Sequence, residues 1–181
     1  LMECKEKYDY PRRLYVYSLK NQTIHSISTY EKIKSIAHMS MSIQSANEKT
    51  LDYIGRKNIP INNYAHNREY CERKGINTYA ELIYGLPGET LNSFMDGVDT
   101  LLKAGQDRIQ MYAHQINWGA ETATQEYKKK FGFETKFRYL GPQFCGTHHG
   151  ISTTEYEQVV VKTDTMSFND FFKIRDFHFF I

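Results

Sequence analysis

The stretch from Tyr79 to Thr90, Tyr-Ala-Glu-Leu-Ile-Tyr-Gly-Leu-Pro-Gly-Glu-Thr, constrains the fold more than any other part of the chain. Leu82 and Ile83 sit in an apolar run of strand length. Gly85, Pro87 and Gly88 then punctuate it, and apolar residues at helical spacing come at once. A strand, a glycine turn and a helix in that order are where α/β proteins place ligands. The glycines admit close backbone approach, and a helix start offers unpaired N–H groups and a positive dipole end. The plainer reading is a turn that only joins a strand to a helix, and the glycines alone do not separate the two.

The alternation continues on both sides. Leu14-Tyr15-Val16-Tyr17 reads as a strand ending at Lys20-Asn21. Ser28 with Glu31 three later forms a capping-box pattern, and Ile33, Ile36 and Ala37 then share a helical face. Met39, Met41 and Ile43 alternate with Ser40, Ser42 and Gln44, a period-two strand. Asn47 is an N-cap ahead of Leu51 and Ile54, with Gly55 helping to end that turn. After Pro60, Asn62 or Asn63 caps a helix that passes Cys71 and stops near Gly75. Beyond the glycine turn, Thr90 is a cap. Leu91, Phe94, Met95, Val98, Leu101 and Leu102 then form one apolar stripe closed by Gly105. Ile109–Tyr112 is a further strand. Strands alternating with helices over residues 14–112 argue for parallel strands joined by right-handed crossovers. The last third differs: a turn at 119–122, a short Lys-rich helix over 123–131, and a strand or extended arm at 137–140. A strong β run at 158–162 comes next, then a helix capped by Ser167 that carries Phe171, Ile174 and Phe177 on one face.

Composition narrows the function classes. With 40% apolar and 24% charged residues a real core is required and wholesale disorder is excluded. A net charge of +2 gives no ground for a nucleic-acid partner. No run approaches the ~20 apolar residues of a membrane span, so no membrane partner is expected. Three dispersed cysteines and no export signal at Leu1–Lys5 point to a reduced, cytoplasmic setting. The start on Leu1 and the apolar finish Phe177–Ile181 suggest a piece of a longer polypeptide.

Ligands of parallel α/β sheets gather at the carboxyl ends of the strands. Ser42 and Gln44 share one face near such an end, and hydroxyl and amide groups suit ribose hydroxyls. The alternative is two inward polar residues satisfying their neighbours. Tyr112 and His114, past the last strand, face either substrate or core, with the structural reading favoured. Cys145-x-x-His148-His149 has metal-like spacing but no fourth ligand nearby, and adjacent histidines point apart in a strand, so no metal ligand is assigned. Lys128-Lys129-Lys130 reads as a solvated helix face. No hydrolase or NTPase motif is present.

Three motifs together carry a family resemblance: Ser42-Ile43-Gln44-Ser45, Leu51-x-x-Ile54-Gly55-Arg56-Lys57-Asn58, and Glu81–Thr90. In order and spacing they resemble the later part of a radical S-adenosylmethionine (SAM) enzyme of the cobalamin-binding group. Val159-Val160-Val161-x-Thr163-x-Thr165-Met166-Ser167 resembles the segment after the barrel in that group. The resemblance implies a partial (β/α) TIM-like barrel over residues 12–118, the later strands of a six-stranded barrel, with an α+β extension over 119–181. It implies SAM, a [4Fe–4S] cluster and cobalamin as cofactors. It also implies reductive SAM cleavage to a 5′-deoxyadenosyl radical that acts on an unidentified small-molecule or peptide substrate. Ser42, Gln44, Arg56, Gly85, Leu86 and Gly88 become the implied SAM-side residues. Arg56 is assigned to the SAM carboxylate, against the alternative of a helix-end cation.

The family's Cys-x3-Cys-x2-Cys loop is absent, and Cys4, Cys71 and Cys145 are too dispersed to replace it. The cluster ligands are therefore expected outside this chain, and the chain alone is expected to be inactive. The alternatives are a non-catalytic SAM-binding module and an anion-binding barrel fragment whose glycine turn grips phosphate. A half barrel leaves strand edges open, so pairing with the missing half or self-association is expected.

Overall fold

The computed structural model describes residues 1–16, 22–106 and 108–180. They form two compact units, residues 1–82 with 93–111, and residues 83–92 with 112–181.

The first unit is built on parallel strands. β1 (Met39–Ser40) pairs with β2 (Thr78–Tyr84) in parallel, Met39 opposite Thr78 and Ser40 opposite Tyr79. The Met41 N–H extends this ladder to Tyr79 O at 2.8 Å. β3 (Ile109–Ala113) lies on the other side of β2, in the order β1-β2-β3. Bonds from Ala80 N–H to Arg108 O and from His114 N–H to Tyr84 O, at 2.9 and 2.8 Å, run in step along both strands and make that pair parallel too. Beside β1, Leu14 bridges Ala37 in parallel. The strand expected at 14–17 is thus reduced to one bridging residue at Leu14, with its end at 17–21 outside the described residues.

Helices α1 (Met2–Tyr8), α2 (Ile24–Glu31), α3 (Glu48–Tyr53) and α4 (Ile61–Arg73) precede β2, and α5 (Leu91–Lys103) precedes β3. Alternation along the strands separates two faces. Met39, Met41, Ile43, Thr78, Ala80, Leu82, Ile109 and Met111 are buried. Ile27 of α2 and Tyr64 and Asn67 of α4 line one small cavity with Met39 and Met41, so these helices cover that face. Each fully buried Leu or Ile there contributes about 1.5–3 kcal/mol of transfer free energy. α5 adds Phe94, Val98 and Leu101 to the core. Leu102, assigned to the same stripe, is 48% exposed. It sits about 100° of helical arc past Leu101 and so falls off the edge of the stripe. Gly97 brings α5 within side-chain contact of Ala46, where a Cβ would stand 3.4 Å from Ala46 Cβ.

Two caps differ from the sequence reading. Ser28 and Glu31 lie inside α2, whose N-cap is Thr23, reciprocally bonded with Ser26. The helix then ends at Glu31, so Ile33, Ile36 and Ala37 come in turns and a bridge and do not share a helical face. α4 begins directly after Pro60, which places Asn62 and Asn63 in its first turn. The Asn47 cap stands, with its Oδ1 accepting from the N–H groups of Lys49 and Thr50.

In the second unit α6 (Gln125–Lys130) is capped by Thr124 and leads to β4 (Glu134–Tyr139). β5 (Cys145–His148) and β6 (Ile151–Thr154) form an exposed antiparallel hairpin. β7 (Tyr156–Lys162) pairs antiparallel with β4. On its other side β7 bonds the chain just past β3, through Val160 N–H to His114 O and Ile116 N–H to Gln158 O, at 2.9 and 2.8 Å. α7 (Phe168–Phe180) starts at a reciprocal cap between Ser167 and Asp170. It buries Phe171 and Ile174, and Phe171 meets Tyr84 edge-on at 5.3 Å between ring centroids. No described helix is long and apolar enough to cross a membrane.

Candidate functional site

The face of the parallel strands opposite the helices is polar and only half covered. It carries Ser40, Ser42 and Gln44 from β1 and its extension, Tyr79 and Glu81 from β2, and Gln110 from β3. Pairing of Ser40 with Tyr79 sets the register, and two residues further along both strands Ser42 meets Glu81. The Ser42 hydroxyl donates to Glu81 Oε2 at 2.6 Å, and the Ser40 and Ser42 hydroxyls are 2.5 Å apart. Two hydroxyls in series thus end on a carboxylate, the stronger, charge-assisted kind of hydrogen bond. Gln44 Oε1 is buried without a protein partner.

This face is chemically selective. The Glu81 carboxylate on this face repels anions and accepts from hydroxyl or amine groups. The serines and the Gln44 amide both donate and accept. A polyol or a cation suits the Ser42–Glu81 pair.

Among the described residues, no hydrogen bond gathers Arg56 into this group. It is exposed, just past the left-handed Gly55 that ends α3, and its N–H bonds Leu51 O at 2.9 Å. Two residues on, Asn58 ties the loop back to the strand, its amide donating to Ser45 O at 2.7 Å.

The glycine turn belongs to the second unit. Gly85 has φ +82° and Gly88 φ +77°, both in the left-handed region where glycine carries no Cβ penalty. Gly85 and Leu86 are buried, Gly88 half-buried. A Cβ at Gly85 would lie 3.3 Å from Val160 O and 3.7 Å from His114 Cβ, so packing against β7 uses the missing side chain. Beyond the turn, Glu89 is fully buried, and its carbonyl accepts from the Thr165 hydroxyl at 2.7 Å.

His114 is buried, as the favoured sequence reading has it, and its Nδ1 stands 3.2 Å from Gly85 O. Burial pushes its pKa below the ordinary histidine value, and the bond to Gly85 opposes that shift. Tyr112 is exposed.

Among the described residues no three His, Cys, Asp or Glu side chains are grouped to hold a metal ion. Cys4 is exposed, Cys71 buried and Cys145 half-buried, each as a free thiol. Cys145 instead bonds the Tyr139 hydroxyl at 3.4 Å, which lowers the thiol pKa. The residues present do not fit an iron–sulfur cluster.

Glu81 is the residue that the motif reading passes over as a site residue, although it opens the motif. Its role depends on the β1–β2 register, which a single sequence does not display.

Similarity to a curated relative shows that the chain belongs to the radical SAM superfamily. The chain is 31% identical over 170 residues to the cobalamin-dependent radical SAM methyltransferase TokK of Streptomyces tokunonensis, covering 92% of this chain and 25% of TokK. It is 33% identical over 149 residues to the 2-(S-pantetheinyl)-carbapenam-3-carboxylate methyltransferase of Streptantibioticus cattleyicolor, covering 81% of this chain and 22% of that enzyme. The chain therefore spans about a quarter of the length of these relatives. In fold it is similar to the radical SAM methyltransferase TsrM of Kitasatospora setae, solved with tryptophan and a SAM analogue. The TM-score is 0.53 at 15% identity, over 88% of this chain and 35% of TsrM. No protein-family model matches the chain.

Proposed function

We propose that the chain is the part of a cobalamin-dependent radical SAM methyltransferase that presents the polar sheet face to SAM. Residues 12–118 supply the later strands of a partial (β/α) barrel and residues 119–181 an extension. The observation that carries the reading is the Ser42–Glu81 pair on the open face of two parallel strands. A carboxylate backed by a serine hydroxyl accepts from vicinal hydroxyls such as those of a ribose, and the Gln44 amide extends the contact. Arg56 is assigned to the SAM carboxylate, and the backbone at Gly85, Leu86 and Gly88 to the adenine or methionine region.

When bound, a [4Fe–4S] cluster supplies an electron for reductive SAM chemistry and cobalamin carries a methyl group. Cys4, Cys71 and Cys145 are too far apart in the chain to hold the cluster, and its ligands are assigned to sequence outside this chain. The acceptor is proposed to be a small organic molecule, as it is in the carbapenam methyltransferase relative.

The second reading is a non-catalytic module that binds SAM or an anion at the glycine turn. Calorimetric titration of the 181-residue chain with SAM, and separately with inorganic phosphate, decides between ligand classes. SAM binding weakened roughly tenfold by Glu81→Gln supports the proposal, since a charge-assisted bond is worth about 1.5–3 kcal/mol. Binding of phosphate in preference to SAM, unaffected by Glu81→Gln, would overturn it.

A further inference from the structure

We propose that His114 is a positioning residue for the glycine turn: its Nδ1–H holds the Gly85 carbonyl and thereby sets the direction of the Leu86 N–H. The inference rests on the reading that the turn faces SAM.

Three main-chain and side-chain bonds converge on this residue. Its N–H donates to Tyr84 O at 2.8 Å, its carbonyl accepts from Val160 N–H at 2.9 Å, and Nδ1 faces Gly85 O at 3.2 Å. The first two belong to the backbone and survive any substitution except proline. Only the third depends on the imidazole. A carbonyl oxygen can only accept, so that bond requires the proton on Nδ1. Burial keeps the ring neutral, which leaves Nε2 as the unprotonated nitrogen. Phe133 fixes the ring plane from the side, edge-on at 5.4 Å and 86°.

At Gly85 the backbone has left-handed freedom and no side chain to restrict it. An anchored carbonyl removes that freedom. The Gly85–Leu86 peptide is planar, so holding its oxygen on the His114 side directs the Leu86 N–H to the opposite side. One imidazole proton therefore decides where a backbone donor of the turn points.

Two substitutions separate this role from packing. His114→Phe keeps a ring against Phe133 and removes the donor. His114→Asn gives up the ring but returns an amide N–H close to the Nδ1 position. In amide NMR spectra of the intact chain, His114→Phe should displace the Leu86 resonance and His114→Asn should return it toward the wild-type position. SAM affinity should fall roughly three- to tenfold in the first variant and recover in the second, the effect of one hydrogen bond. Should His114→Phe not fold, the ring nitrogen shifts of the wild-type chain decide alone. A protonated Nδ1 with an unprotonated Nε2 supports the proposal, and the opposite tautomer overturns it. An unmoved Leu86 resonance in folded His114→Phe also overturns it. Failure of the wild-type chain to bind SAM counts against the SAM-side reading, while the Leu86 and tautomer measurements still decide the positioning role.

Discussion

Gly85 shows how much one missing side chain carries. Its φ of +82° and the Val160 carbonyl 3.3 Å from the site of a Cβ act together. Gly85→Ala is expected to cost roughly 1–3 kcal/mol, about 1 for the left-handed conformation and the rest for crowding the Val160 carbonyl. Gly55→Ala is the internal control. Gly55 has φ +60° with open space around it, so only the conformational part applies. Urea unfolding of both variants checks the difference. His114 gives a pH prediction at the same scale. Its folded pKa is lowered by burial, so the unfolded chain binds the proton more readily. Stability is then full above the unfolded histidine value of about 6.5 and declines as pH falls below it. His114→Phe should flatten that acid limb, measured as the midpoint of urea unfolding against pH.

At the scale of elements, Gln106 joins three of them. Fully buried after α5, it accepts from the Tyr64 hydroxyl of α4 and the Thr78 hydroxyl of β2, at 3.2 and 3.3 Å, and donates to Arg108 O at the entrance to β3. Gln106→Leu leaves two buried hydroxyls without their acceptor and should destabilise by roughly 2–4 kcal/mol, with Tyr64→Phe restoring part of the loss. A double-mutant cycle by thermal unfolding measures that coupling. The same elements show what the sequence could reveal. β2 is legible from its short apolar run ahead of the glycine turn, and α5 from a stripe over nearly four turns, a strong periodic signal. The first cap is misplaced because Ser-x-x-Glu occurs inside helices as well as at their starts, and Thr23 with Ser26 satisfies the same backbone donors with weaker sequence contrast. Ser42 is legible as a polar residue near a strand end. Its partner Glu81 is not, because 39 residues of chain separate them and only the register brings them together.

At the scale of the whole molecule, exposed apolar side chains recur on the last helix and on the antiparallel strands. Phe179 and Phe180 of α7 are 85% and 82% exposed, and Phe137, Tyr156 and Ile151 lie open on the β4, β7 and hairpin strands. Single exposed apolar residues are ordinary, but adjacent aromatics on a helix favour association. Light scattering should give a mass that rises above the monomer value with concentration, and Phe179→Ser with Phe180→Ser should lower that rise. The relatives are about four times as long as this chain. Amide NMR of the isotopically labelled chain titrated with SAM reads the polar face of the parallel strands residue by residue. Saturable shifts centred on Ser40, Ser42, Gln44 and Glu81 are expected, and their loss in Ser42→Ala with Glu81→Gln. Saturable shifts that leave those four residues unmoved would contradict the placement of SAM on this face.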